Sequence, residues 1–161
     1  MSMTVEPCIL EKWIWSHDDY DLMGWHDATV HAIALVPEQW ELILDIDYIV
    51  RWVDPIPPNE YFHFWIAPAT LVFQGVQDIK IEFNIPNIMD ITLQGIERSN
   101  PRPTPNGTST EWDWFIDSNE GRITFRADGY SQHFRAAPIR LKEQGLDFKQ
   151  RCGLSFDRTA S

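Results

Sequence analysis

The chain has 161 residues and a formal net charge of −11, from 24 Asp and Glu against 13 Lys and Arg. That length suits a single domain able to bury about two thirds of its unfolded surface, so a core needs no metal or disulfide staple. Four Lys and nine scattered Arg offer no cationic cluster for counterion release, which excludes nucleic acid and anionic membranes as expected partners.

Eight Trp and nine Phe are a heavy aromatic load for this length. Such residues fit the pleated, half-buried surface of a sheet and tilt the reading towards β structure. Cys8 and Cys152 stand near opposite ends, without disulfide-like spacing. No basic stretch followed by an apolar run opens the chain, and no apolar run approaches the length of a membrane span. A cytoplasmic location with both thiols reduced is the expectation.

In chain order, Glu11 to Asp21 can hold a short helix. The first hairpin is expected from Ala28, Val30, Ala32, Ala34 and Val36 on one face, answered by Trp40, Leu42, Leu44, Ile46 and Tyr48. With Val36 opposite Trp40, small residues meet large ones throughout, and a slip by one residue exchanges the faces. The other face of this register carries Thr29, His31, Asp45 and Asp47, with His31 across from Asp45. Tyr61 to Ile66 reads as a strand buried on both faces. Pro68 lacks a ladder donor, so Ala67-Pro68-Ala69 is expected to be a bulge, a bend or an edge.

A strand resumes at Thr70 and turns at Gly75. Ile79, Ile81, Phe83 and Ile85 then alternate with polar residues, as in a strand with one wet face. Ile91 and Leu93 continue this pattern, and Gly95-Ile96 shifts its phase as a bulge does. Residues 99–109, SNPRPTPNGTS, contain no apolar side chain and read as a long mobile surface loop. The second hairpin pairs Asp113 with Arg126, Trp114 with Phe125, Ile116 with Ile123 and Asp117 with Arg122. Apolar pairs share one face there and opposite charges the other. Ile139 to Arg151 can hold a short helix, although Gly145 weakens it by about 1 kcal/mol.

Chemistry-bearing residues gather early, in His17-Asp18-Asp19-Tyr20-Asp21 and in His26, Asp27 and His31. Asp27, His31, Asp45 and Asp47 are the candidates for a metal or acid–base site, since His and Asp serve both roles. A cross-strand pair of His31 with Asp45 or Asp47, on a wet or loop-covered face, is the simpler reading of the same residues. His63 and His133 read as packed, hydrogen-bonded residues. No nucleophile elbow, Walker loop or dinucleotide fingerprint occurs. Trp13, Trp15 and Trp25 are the candidates for a binding surface, because aromatic anchors dominate interface energies.

Three stretches, Trp25-His26-Asp27 running to His31, Leu44 to Ile49 with Trp52, and Phe64 to Phe73, resemble a group of small uncharacterised bacterial proteins. The likeness extends to the second hairpin. In size, charge and aromatic content the chain also resembles the small acidic immunity proteins of bacterial toxin systems. These readings together give one mainly β domain over residues 1–161, an antiparallel barrel or sandwich with at most short helices. The expected role is non-catalytic recognition of a basic protein partner, without a cofactor. The alternatives are a metal-dependent or acid–base enzyme and a β-barrel holding a small ligand. Nothing in the sequence signals an oligomeric state.

Overall fold

The computed structural model describes residues 7–58, 60–86 and 90–160. The first six residues, read above for a targeting signal, lie outside them. The protein is mainly β: β1 (Ile14–Ser16), β2 (Thr29–Val36), β3 (Glu41–Val53), β4 (His63–Gln74), β5 (Gln77–Phe83), β6 (Ile91–Pro103), β7 (Thr110–Ser118), β8 (Gly121–Ala127), β9 (Gly129–Phe134) and β10 (Ile139–Leu141). A 3-10 turn spans His17–Leu22, another spans Pro37–Gln39, and the short helix α1 covers Phe148–Arg151. No helix among the described residues is long and apolar enough to cross a membrane.

All pairings are antiparallel, in the order β1-β9-β4-β3-β2-β6-β7-β8-β5, with β10 also on β4. The path does not close into a barrel. It folds at the β2–β6 join, where only Thr29–Thr92 and Val30–Ile91 pair. The β1-β9-β4-β3-β2 layer then faces the β6-β7-β8-β5 layer. Phe73 of the first layer meets Trp114 and Phe125 of the second at ring separations of 5.3 and 4.8 Å. Leu42, Leu44, Ile46, Leu71, Leu93, Ile116 and Ile123 complete the shared core. This is sandwich packing, with side chains of two inner faces interdigitating.

The second hairpin has the register expected from its sequence: Asp113–Arg126, Trp114–Phe125, Ile116–Ile123 and Asp117–Arg122. Its charges choose other partners. Arg126 bonds Asp78 and Arg122 bonds Glu82, because β5 lies alongside β8 and offers carboxylates from its other flank, and Arg126 also reaches Glu111 on β7.

The first hairpin departs from expectation. Val30 faces Ile46, but Ala32 faces Asp45, Ile33 faces Leu44 and Leu35 faces Leu42, with the register shifting at His31. A bulge at His31 turns Ile33 rather than Ala32 towards the core, which buries more apolar surface. Trp40 closes the connection in the left-handed conformation (φ 56°) instead of pairing with Val36.

Pro68 is neither bulge nor edge. It pairs with Asp47 inside a continuous β4. On its other flank the partner strand changes from β10, which lies opposite Phe64–Ile66, to β9, whose last residue Phe134 lies opposite Ala69. No ladder donor is needed at that seam, and the Pro68 carbonyl still accepts from Arg135 N at 2.9 Å.

Within residues 99–109, expected as loop throughout, β6 continues through Pro103. Arg102 holds it there, reaching Glu111 and Asp113 at 2.9 Å each. The prolines are tolerated because this part of β6 pairs on one side only, with β7.

Gly121 begins β8 at φ 155°, where a Cβ would lie 1.9 Å from the Glu82 carbonyl oxygen. Gly121→Ala therefore prises β5 from β8, and we expect a loss of about 1–3 kcal/mol. Urea unfolding should show a lower midpoint at unchanged slope.

Candidate functional site

The His/Asp group of the sequence lies on the outer face of the first layer. Alternation along β3 sends Leu44, Ile46 and Tyr48 into the core and Asp45 and Asp47 out. Both carboxylates are nevertheless fully buried. The chain after β10 covers them, and Arg151 of α1 reaches between them.

The Arg151 guanidinium donates from Nη2 and Nη1 to the two Asp45 oxygens at 2.6 and 2.8 Å, and from Nε to Asp47 Oδ1 at 3.0 Å. Nη1 also donates to the Gly153 carbonyl and Nη2 to that of Ile46. Every donor of the guanidinium fork is thereby used. Arg135 donates to Asp45 Oδ1 at 2.7 Å and to Thr70 Oγ1 at 2.8 Å. Backbone N–H groups of Ser155 and Leu146 donate to Asp45 and Asp47 at 3.0 and 2.8 Å. His31 Nε2 sits 2.6 Å from Asp47 Oδ2, so the bulge delivers the His31–Asp47 pair and not His31–Asp45.

Two carboxylates and two guanidiniums balance in charge. Burial pushes the Asp45 carboxyl upward, but hydrogen bonds from Arg151, Ser155 and Arg135 outweigh it and leave the group below its ordinary value. Burial pulls Arg151 down, and the hydrogen bond to Asp45 with the charges of Asp47 and Asp45 raises it overall. The arrangement fastens the C-terminal segment to the sheet. Asp27 stands apart from it, bonded to Gln144 Nε2 at 3.2 Å and beside His26 at 3.0 Å. Among the described residues no three His, Cys, Asp or Glu side chains are grouped to hold a metal ion.

The three candidate tryptophans separate. Trp25 is buried, its Nε1 donating to Gln132 Oε1 at 2.8 Å and its ring edge-on to Tyr130 at 5.5 Å, so it builds the core instead of a surface. Trp13 is 41% exposed beside Ile14 on the β1 edge. Trp15 is half-buried under the Lys12 ammonium, 4.7 Å from its ring centre, and lines a cleft of about 400 Å³. Leu10, Val50 and Phe134 form its apolar wall, with Ile9 and Leu22 at the mouth. Those two side chains are 78% and 79% exposed. Glu11 and Arg51 are the charged lining residues.

Sequence reasoning missed Arg98. Its guanidinium lies between the rings of Tyr20 and Trp112, at 4.3 and 4.2 Å from their centres, beside a second, more polar cavity. The spacing of Tyr20, Arg98 and Trp112 carries no local signal. His63 accepts from Arg140 Nε at 3.2 Å, and His133 bonds Ser131 at 2.9 Å. Both cysteines are free, Cys8 buried and Cys152 exposed.

No family model, curated protein or solved structure matches the chain.

Removing one partner of a buried ion pair strands the other charge, at a cost of about 3–5 kcal/mol. Arg151→Met should lose that much at pH 7 in urea unfolding and expose residues 144–158 to early proteolysis. A folded-state value below the unfolded one means Asp45 stabilises above its ordinary value of 3.8 and loses this as pH falls through the lower folded value. In Arg151→Met the folded value rises, so acid unfolding should begin at higher pH than in the wild type.

Proposed function

We propose that this chain is a non-catalytic recognition protein for a basic polypeptide, comparable in role to the acidic immunity proteins of bacterial toxin systems. The cleft beside β1 carries the reading. Ile9 and Leu22 are largely exposed at its mouth, and Trp13 and Ile14 stand exposed on the neighbouring strand. Contiguous apolar side chains left in water mark interaction surfaces. Glu11 lines the cleft and Asp21 precedes Leu22, both exposed and without an ion-pair partner among the described residues. Apolar anchors beside these two exposed carboxylates suit a partner that presents aliphatic and cationic side chains together.

Net charge −11 adds long-range steering, which raises association rates with a cationic partner most at low salt.

Labelled Leu/Lys and Leu/Glu model peptides of equal length test the reading by fluorescence anisotropy. The Leu/Lys peptide should bind and weaken as salt rises from about 50 to about 500 mM, where the Debye length falls from about 14 to about 4 Å. Trp13→Ala or Leu22→Ala should weaken binding about tenfold, and Glu11→Gln by less. Equal binding of both peptides, or affinity indifferent to Trp13 and Leu22, would overturn it.

A further inference from the structure

The second cavity, of about 460 Å³, lies between the 3-10 turn, β6, β7 and the β8–β9 corner. That volume is within the range of small-molecule sites. Its lining is polar: His17, Asp18, Arg98, Ser109, Thr110 and Asp128, with Trp112.

Two of these residues carry charge that the fold does not spend. Stacking between Tyr20 and Trp112 fixes the plane of the Arg98 guanidinium. Its one hydrogen bond among the described residues runs from Nη1 to the His17 carbonyl at 3.3 Å. Its other donors have no acceptor among the described residues, and the side chain lines the cavity. Asp128 is half-buried at the same cavity, its carboxylate packed over the backbone of Gly75. It receives no hydrogen bond from a described residue, and burial, followed by the nearby charge of Glu111, pushes its carboxyl upward against a smaller pull from His17. Arg98 and Asp128 do not pair with each other.

Opposite charges on one cavity normally close on one another, since an unpaired, partly desolvated charge is costly. Here the aromatic clamp holds one and the close pass over Gly75 the other. We infer that this cavity binds a small zwitterion, whose carboxylate or other oxyanion spans the Arg98 fork and whose ammonium group reaches Asp128. A plain anion would face Asp18 and Asp128 as well as Arg98, and a plain cation would meet Arg98. Only a molecule with both charges satisfies the lining. Ser109 and Thr110 hydroxyls add neutral partners along its length.

A ladder of ω-amino acids from glycine to 6-aminohexanoate tests this, with acetate and methylammonium as single-charge probes at equal ionic strength. Tryptophan indole N–H resonances in two-dimensional NMR are the readout. At least one amino acid should give saturable shifts with an affinity about tenfold above either single-charge probe. Arg98→Lys keeps the charge but loses the planar fork. It and Asp128→Asn should each weaken that binding about tenfold, with well-dispersed spectra confirming the fold. Lack of saturation by any member at about 50 mM, equal response to acetate, or binding unchanged in Arg98→Lys would overturn the inference. The wild-type ladder decides the matter even where a variant fails to fold.

Discussion

The first layer of the sandwich is closed on its outer face by charge. Asp45 and Asp47 occupy the middle of β3, an inner strand of that layer, and have no water to solvate them. Each ion taken out of water costs several kcal/mol, and close opposite charges offset this only when the remaining hydrogen-bonding capacity is also filled. The clasp meets that condition. Arg151 spends its donors on both aspartates and two carbonyls, Arg135 and Ser155 complete Asp45, and His31 and Leu146 complete Asp47. An apolar cover tolerates sliding, whereas this one has a single geometry in which no charge is stranded. The network therefore sets the register of the C-terminal segment more than it adds net stability.

Several local features exist to make that geometry reachable. The bulge in β2 puts His31 beside Asp47. The seam at Pro68 lets β9 end, so that Arg135 turns over Thr70 towards Asp45. Gly145 lets the returning chain pass close, since a Cβ there would lie 3.0 Å from Thr29 Oγ1 and 3.5 Å from Asp47 Oδ2. Asp147 caps α1 by accepting from Gln150 N at 2.7 Å, while Gln150 accepts from Asp147 N at 2.9 Å. That reciprocal cap lets a helix of one turn hold Arg151 in place.

How much of this the sequence disclosed follows from the range of the forces. The second hairpin was legible to register because two local patterns, apolar pairing and charge alternation, agree on it. The first was legible only up to His31. Its alternating alanines pointed to one register, while the larger Ile33 competes for the core face and wins beyond the bulge, with Leu35 left exposed. Asp45 and Asp47 could be placed on the face opposite the core, but their guanidinium partners are about ninety and more residues away, and no periodicity joins them. Gly145 argued against a helix for a propensity reason, whereas its use is close approach. Trp25 carried the same aromatic signal as Trp13, and only tertiary packing separates the buried residue from the exposed one.

The distribution of arginines links the scaffold to the proposed sites. Arg102, Arg122, Arg126, Arg135, Arg151 and Arg158 are held by carboxylates, and Arg140 is bonded to His63. Among the described residues this leaves Arg51 and Arg98 with neither a carboxylate nor a histidine partner, one lining the apolar cleft and the other the polar cavity. At the polar cavity the free guanidinium is the attractive element. At the cleft it acts in the opposite sense, because Arg51 repels a cationic side chain that Glu11 and Asp21 attract. A basic partner of the kind proposed would then be confined to orientations that set its cations over the carboxylates and its apolar residues against Ile9 and Leu22. Specificity obtained by such repulsion needs no further contact, since it raises the energy of wrong orientations and leaves the right one untouched.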